Sequence, residues 1–332
     1  MTSFKVMTWN VENLFEAGAE SGPATPEEYQ AKLASLAAVI LELDPDVLAV
    51  QEVGSAAAFG DLAGRLLGRY PQQVLSSHPD PRGIRVGFLS KLAIEQTEHI
   101  RDYRQADDAT VAGADTQGNP INIGRFSLGR GALRIQVSPR PGFTVRLVTA
   151  HLKSKLLTYP STGKPRFFPH DEDERAKVAG LALFKRTAEA VTLRVKANDL
   201  LKGSAPRALL VMGDLNDVPN AATTQILQGP GGSEIGTRAF DRPDQGDKWR
   251  LFNLAARLAA DRRFSRVHNN DPELIDHIFA SEALFPGQPR AVPEVDSHVQ
   301  FLEPNPSISD NPNERRGKPG SDHAPLTAVF EV

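Results

Sequence analysis

Hydrophobic and polar positions alternate every second residue at the start of the chain. Across residues 4–10, Phe4, Val6 and Thr8 fall on one side and Lys5, Met7 and Trp9 on the other, which predicts a strand. The period then changes. Leu33, Leu36, Ala37, Ile40 and Leu41 recur at helical spacing and mark one buried face. Thr25 is the predicted N-cap of that helix, Pro26 suits its first position, Glu28 completes a capping box, and Pro45 ends it. The nearly all-apolar run DVLAVQEV, bounded by proline and glycine, reads as a central strand. Further strands are predicted at 84–90, 131–137, 143–151, 208–214, 275–280 and 324–332. A long helix is expected over 172–200. Val178, Leu181, Ala182, Ala188, Val191 and Val195 form its apolar stripe, and acidic residues 171–174 sit at its dipole-favoured start.

The two halves echo each other loosely. Each has a helix followed by a buried strand that ends in an acid, Glu52 in the first and Asp214 in the second. Segments 101–122, 154–170 and 303–321 are rich in Gly, Pro, Asn, Asp or Ser and are expected to be irregular. No Pro- or Gly/Ser-rich linker divides the chain, so residues 1–332 read as one domain.

Composition narrows the function classes. Of 332 residues, 40% are hydrophobic and 24% charged, and the net charge is -3, which argues against a protein basic all over. With no cysteine, disulfides, thiol catalysis and Cys-ligated zinc or iron–sulfur sites are excluded. No run is long and apolar enough to span a membrane. The first residues read as a strand and not as a signal peptide, so the expected location is cytoplasmic, or secreted if a leader was removed. Nothing resembles a dimerisation helix, and a monomer is expected.

Polar residues gather at or just past the ends of the hydrophobic strands: Asn10 and Glu12, Gln51 and Glu52, His151 and Lys153, Asp214 and Asn216, then Asp276, and Asp322 with His323 before the last strand. An apolar strand gains nothing locally from a terminal carboxylate. Several such ends pointing one way would build a rim of carboxylates, amides and imidazoles. That inventory suits a hard cation such as Mg²⁺, which takes oxygen ligands. Histidines beside carboxylates suit proton transfer near neutral pH. Taken singly, each has a blander reading: Asn10 and Glu12 as loop caps, GDLND as a turn, Asp276 as one half of an ion pair, His151 as a structural histidine.

Together and in order, TWNVENLF, LAVQEV, TAHLKSK, VMGDLND, IDHIFAS and SDHAP resemble the endonuclease/exonuclease/phosphatase superfamily, also described as DNase I-like. The resemblance spans essentially the whole chain. It implies a four-layered α/β sandwich, with two packed mixed sheets flanked by helices, and a divalent-metal phosphoesterase. It implies Glu52 as the principal metal carboxylate, Asn10 positioning metal or phosphate, Asp322 as a further ligand, and Glu12 farther from the ion. Asp276 and His323 become a carboxylate–imidazole pair. Asp214 and Asn216 position the attacking water and the phosphate, and His151 contacts the phosphate or assists the leaving group. Mg²⁺ is the expected ion, with Mn²⁺ or Ca²⁺ as alternatives. Asp214 and His323 are both candidates for the general base.

The substrate is less determined. Lys153, Lys155, Lys164 and Arg166, interleaved with Tyr159, Phe167 and Phe168, form an acid-free segment, and Arg315, Arg316 and Lys318 precede the SDHAP motif. Such a rim could track a phosphate backbone and stack bases, or could simply be solvated loops. Arg130 and Arg175 are further candidates for phosphate contact. The leading expectation is a nuclease acting on DNA, with RNA also open. The alternatives are a phosphoesterase of small phosphoesters, inositol phosphates or phospholipid headgroups, and a non-catalytic binding module.

Overall fold

The computed structural model describes residues 2–102, 112–114, 120–122, 127–159, 161, 166–302, 307–308, 315 and 317–332. The main elements in chain order are β1 (Ser3–Leu14), α1 (Pro26–Leu43), β2 (Val47–Val53), α2 (Ala56–Gly64), β3 (Gln72–Leu75), β4 (Arg85–Ser90) and β5 (Gln96–Asp102). They continue with β6 (Ser127–Arg140), β7 (Phe143–His151), α3 (Glu172–Leu201), β8 (Ala208–Asp214), α4 (Ala222–Gln228), β9 (Leu251–Asn253), β10 (Asp276–Ser281), β11 (Glu294–Ser297) and β12 (Leu326–Glu331).

The strands form two six-stranded mixed sheets, in the orders β11-β12-β1-β2-β4-β3 and β9-β10-β8-β7-β6-β5. Each sheet has one parallel pair at its centre, β1 with β2 and β7 with β8, joined through α1 and α3 respectively. All the other pairs in the two sheets are antiparallel. The echo between the halves is therefore architectural: each sheet is a strand–helix–strand unit with antiparallel strands added on either side.

Period-2 alternation decides which side chains meet. Phe4 and Val6 of β1 enter the cluster between the sheets, with Ala49, Phe88, Leu133, Leu147, Leu210 and Met212. Met7 and Trp9 point the other way, onto Leu33, Leu36 and Ile40 of α1 and Phe59 and Leu62 of α2. The far face of the second sheet is covered by α3 and α4, where Ala190, Leu193 and Leu227 pack on Val148, Leu209 and Val211. The order is helices, sheet, sheet, helices, as the family resemblance implies.

The helix at 26–43 starts as its sequence predicts. Thr25 Oγ1 accepts from Glu28 N, and Glu28 reaches back to the N-cap backbone. The stripe expected on α3 is off-centre: Ala182 is buried, Val178, Ala188, Val191 and Val195 are half-buried, and Leu181 is on the wrong face. Leu181 is 70% exposed, Leu183 and Phe184 are also exposed, and the buried face carries Arg186, Glu189, Leu193, Arg194 and Ala197. Charged side chains occupy that face because each finds a partner: Arg186 with Asp217, Glu189 with the backbone of Gly129 and Lys153, Arg194 with Leu227 O. A hydrophobicity pattern cannot register that compensation. Helices α2 and α4 and strands β3, β5, β9 and β11 were not expected. Segments 101–122 and 303–321 lie largely outside the described residues, although 112–114 pairs with 120–122. Among the described residues no helix is long and apolar enough to cross a membrane.

The helix-face assignment has a direct check. Leu193→Ala should lower unfolding free energy by about 2–5 kcal/mol through cavity formation, whereas Leu181→Ala should stay within about 0.5 kcal/mol as an exposed substitution. Urea titration of both variants measures this, and the reverse ranking would place the buried face on the wrong side of α3.

Candidate active site

Both central parallel pairs end at the same place. Asn10 lies near the end of β1, Glu52 on β2, and His151 and Asp214 at the matched ends of β7 and β8. Their side chains meet. Asn10 Nδ2 donates to Asp214 Oδ2 at 3.0 Å and to Glu52 Oε1 at 3.2 Å. His151 Nε2 lies 3.2 Å from Asp214 Oδ2 and 3.9 Å from Glu52 Oε1. Below them, buried Gln51 Nε2 bridges Thr8 Oγ1 of the first sheet and Thr149 Oγ1 of the second. The sheets are therefore joined by hydrogen bonds directly under the site.

The backbone here is held away from its ordinary minima. Glu12, Asn13, Glu52 and Asn216 all have φ between 48° and 65°. For residues with side chains this left-handed conformation is sparsely populated and costs about 1–3 kcal/mol each. Local bonds hold it: Asn10 Oδ1 accepts from Glu12 N, Glu52 Oε2 from Asn13 N, and Asp214 Oδ1 from Asn216 N. Gly213 sits beside Asp214 because a Cβ there would lie 2.0 Å from the Ala150 carbonyl oxygen. Asn216 Nδ2 donates to Leu152 O, tying this turn to the end of β7.

Asp276 opens β10, opposite Asp214, and its Oδ2 lies 2.6 Å from His323 Nδ1. His323 is placed by its neighbours: its carbonyl accepts from Trp9 Nε1 at 2.7 Å and its N–H donates to Ser321 Oγ. Ser321 Oγ in turn donates to Asn10 O. Ser265 Oγ accepts from the backbone N–H groups of Ile275 and Asp276. Burial opposes a charge on His323, but Asp276 and Asp322 outweigh it, and its pKa is pushed up to about 10. The ring is thus an imidazolium, with Nε2 4.0 Å from both Asp214 Oδ2 and Asp322 Oδ1. Burial and the adjacent Asp276 carboxylate raise Asp214 to about 7. His151 moves the other way: burial and nearby Arg130 lower it well below its ordinary value, so its ring is neutral.

Asp214, Asp276 and His323 place one ligand-type atom each within 4.8 Å of one another. The trio could hold a metal ion or, with the proton that Asp276 and Asp322 favour on His323, serve as a proton relay. Oxygen donors for a cation lie alongside it. Glu52, Asn10 and Asp322 are the predicted set, and Asn13, which sequence reasoning missed, lines the cleft with Glu52 and has a buried Oδ1 with no hydrogen-bond donor among the described residues. The NVEN stretch contained the signal for it: a third polar residue in the same turn as Asn10 and Glu12.

Glu12 faces a second charged group. Arg315 Nε and Nη2 bind its two oxygens at 2.8 and 3.0 Å. Burial and the neighbouring Asp322 raise Glu12 to about 7, against Lys32 and Arg315. Lys32, also buried, donates to Gly320 O. Asp322 N donates to Glu12 Oε2, and Arg266 Nε lies 3.5 Å from Asp322 Oδ2. Glu12 thus anchors the 315–322 segment under β1 as part of the site's support.

The cationic rim differs from expectation. Arg130 and Lys155 line the cleft as predicted, joined by Arg82 and Arg266, which carried no periodic or motif signal. Arg130 is held by Asp80 and by Leu152 O, and Lys155 by Glu273. Lys153 turns inward, its Nζ bonded to the carbonyls of Ser154 and Leu156, and burial with nearby Arg130 lowers it to about 8. Arg175 is exposed, pairs with Glu172 on the first turn of α3, and stays outside the cleft lining. Arg166 pairs with Glu174 and stacks on the buried Tyr159 ring, while Phe168 is 76% exposed. Lys164 and Arg316 lie outside the described residues, and Lys318 is exposed.

Comparison with known proteins identifies the family and the fold. The model of the Endonuclease/Exonuclease/phosphatase family matches residues 7–323. No curated protein matches the sequence significantly. Among solved structures, truncated Caenorhabditis elegans TDP2 superposes with a TM-score of 0.52 at 15% identity, covering 99% of this chain and 98% of that one. The human Nocturnin catalytic domain with bound sulfate gives 0.55 at 18% identity, covering 99% and 94%. The Bacteroides thetaiotaomicron mannosyl-6-phosphatase gives 0.58 at 15% identity, covering 99% and 100%. At these identities the likeness is one of fold.

If Glu12 is a structural anchor, removing its partner should be costly. Arg315→Met leaves a buried carboxylate without its bidentate partner and is expected to destabilise the protein by about 3–5 kcal/mol. Chemical denaturation measures the loss. A change below about 1 kcal/mol would mean that the pair contributes nothing to holding the segment.

Proposed function

Since the chain belongs to the Endonuclease/Exonuclease/phosphatase family, a family of phosphoester hydrolases, we propose that it is a divalent-metal-dependent phosphodiesterase acting by in-line attack of water on phosphorus. The carrying observation is that Glu52, Asp214 and His323, the last backed by buried Asp276, line a cleft of about 200 Å³ together with Arg82, Arg130, Lys155 and Arg266. Acids and a charged imidazole beside guanidinium groups suit a bound phosphate and a water to attack it.

The residues present fit a hard cation. Glu52 offers a carboxylate at the cleft, Asn13 Oδ1 is buried without a donor among the described residues, and the chain has no thiol. Glu52, with Asn10, Asn13 and Asp322, would hold Mg²⁺, or Mn²⁺ or Ca²⁺ in its place. Bound there, the ion would neutralise phosphate charge as it develops in the transition state. This chain's own groups do the rest. Asp214 Oδ2, oriented by Asn10 and His151, accepts the proton of the attacking water. His323, held protonated by Asp276, supplies positive charge beside that carboxylate and a proton for the departing oxygen. Arg82 and Arg130, both paired with Asp80, and Lys155, paired with Glu273, line the approach of the anionic substrate, and His323 and Arg266 keep Asp322 charged.

A compact phosphoester is favoured over a long duplex. Cations that would track a backbone are committed within the protein: Arg166 to Glu174, Lys153 to its own loop, and Arg315 to Glu12. The nuclease reading keeps one specific support, the exposed Phe168 beside Arg166, an aromatic on which an unpaired base could stack.

With Mg²⁺, purified protein should hydrolyse bis-p-nitrophenyl phosphate and lose that activity in EDTA. Glu52→Gln and Asp214→Asn should each reduce kcat/KM by at least about 100-fold, the scale of a lost charge stabiliser or base. Supercoiled plasmid in a parallel tube should be cut slowly by comparison. Turnover that survives EDTA or either substitution would sink the proposal, and fast plasmid nicking would restore the nuclease reading.

A further inference from the structure

Helix α3 buries charge where apolar side chains would pack. Arg186 is 6% exposed and Glu189 2%, and the two lie three residues apart on the buried face of the helix. Taking a guanidinium and a carboxylate out of water is costly, and apolar residues of similar volume often stabilise a core as well or better. What apolar residues cannot supply is a bond of fixed direction to a chosen backbone atom. The bonds these two side chains make are of that kind.

Glu189 takes one backbone N–H on each oxygen, from Gly129 on Oε1 at 3.0 Å and from Lys153 on Oε2 at 2.6 Å. Gly129 precedes Arg130, and Lys153 lies two residues past His151. Arg186 Nη1 donates to Lys153 O at 3.0 Å, and its Nε donates to Asp217 Oδ2, also at 3.0 Å. Asp217 follows Asn216 in the turn after β8 and accepts from Thr223 Oγ1 as well. Its other oxygen lies 3.9 Å from Lys155 Nζ. One turn of α3 thus joins the first part of β6, the exit of β7 and the exit of β8. The backbone polar groups that follow His151 are thereby all occupied. Leu152 N donates to Asp214 O, and Leu152 O accepts from Arg130 Nη1 and Asn216 Nδ2. Lys153 N goes to Glu189 and Lys153 O to Arg186. Arg130 and Asn216 belong to the lining of the cleft, whereas Arg186 and Glu189 stand behind it.

We propose that Arg186 and Glu189 are positioning residues of the phosphoesterase site, which grip the Lys153 peptide from both sides and so hold Arg130, His151 and the Asp214–Asp217 turn in register with one another. The proposal rests on the phosphoesterase reading of the cleft and adds the element that sets its geometry from behind. Glu189 acts on the side of Arg130, where the anionic substrate approaches. Arg186 acts on the side of Asp214 and Asn216, where the water is placed. Neither residue is replaceable by its nearest relative. A glutamine at 189 would turn its NH₂ towards one of the two N–H groups, and a lysine at 186 lacks the fork that reaches Lys153 O and Asp217 together.

The test compares the full-length wild type with Glu189→Gln, Arg186→Lys and, as a control for weakened packing on the same helix face, Leu193→Ala. Hydrolysis of bis-p-nitrophenyl phosphate is followed with Mg²⁺ at a temperature where circular dichroism shows every variant folded. Glu189→Gln should raise KM about tenfold or more, and Arg186→Lys should lower kcat by about 10- to 100-fold, the scale of a small misplacement at the reacting centre. Leu193→Ala should change either constant by less than about twofold. A merely structural loss would shrink the active fraction, lowering kcat and leaving KM alone. A readout free of catalysis is the His151 ring, observed by NMR in histidine-labelled protein and assigned with His151→Ala. Its signal should move in Glu189→Gln and in Arg186→Lys and stay in place in Leu193→Ala. A His151 signal that stays in place in either variant, an unchanged KM in Glu189→Gln, an unchanged kcat in Arg186→Lys, or losses matched by Leu193→Ala would overturn the proposal. If the wild type hydrolyses no phosphoester at all, the reading of the cleft fails, and the His151 signal alone decides whether the pair holds the strand ends.

Discussion

The carboxylate of Asp214 is the constraint around which the molecule is arranged. It is buried where two sheets meet, and a charge in that position requires partners. Those partners come from every direction: Asn10 from the first sheet, His151 and the Asn216 backbone from the second, and the His323 imidazolium from the loop before the last strand. None of them can be supplied by the strand that carries the acid. The position of Asp214 therefore fixes the register of β7 against β8 and the distance between the sheets. It also fixes the path of residues 320–323, which Ser321, Lys32 and Trp9 fasten to the first sheet.

Opposed environments then divide the work among similar groups. Two histidines lie within reach of the same carboxylate and end in different protonation states. His323 is paired with Asp276 and faces Asp322, so it keeps its proton; His151 has buried surroundings and Arg130 nearby, so it does not. Pairs of titratable groups pushed apart in this way are the usual structural basis for acid and base roles at one pH. The carboxylates are divided likewise. Glu12 is committed to Arg315 beneath the site, while Glu52 lines the cleft.

Much of this was legible in the sequence, for a physical reason. The long central strands are apolar on both faces and end abruptly in a polar residue, so both their existence and their chemistry show in the residue pattern. The bounds of β7 and β8 were read correctly because Val145, Leu147 and Leu210 leave no ambiguity. What escaped was whatever depends on compensation from elsewhere. Strand β5, QTEHIRD, is a polar edge strand without a hydrophobic period. The buried face of α3 carries Arg186, Glu189 and Arg194, which look solvated until Asp217, Gly129, Lys153 and Leu227 are seen beside them. Arg82 reaches the cleft from a turn and Arg266 from a three-residue strand, where a single charge has no signature. The basic segment after β7 was over-read for the same reason: a run of cations says nothing about the carbonyls and carboxylates that occupy them.

The order of strands in the first sheet has a consequence for how the chain acquires its structure. The first half of β1 pairs with β12, Ser3 opposite Glu331 and Thr8 opposite Leu326, whereas the second sheet is drawn entirely from residues 96–281. During synthesis the second sheet can close on itself while the first still lacks two strands, and β1 must wait with one edge open until residues 326–331 emerge. Unpaired edges of this kind recruit other chains. The same late pairing delivers His323 to Asp276. A nascent chain thus assembles Glu52, Asp214 and Asp276 first and receives Asp322 and the His323 imidazole only at the closing step, so activity cannot precede completion of the sheet.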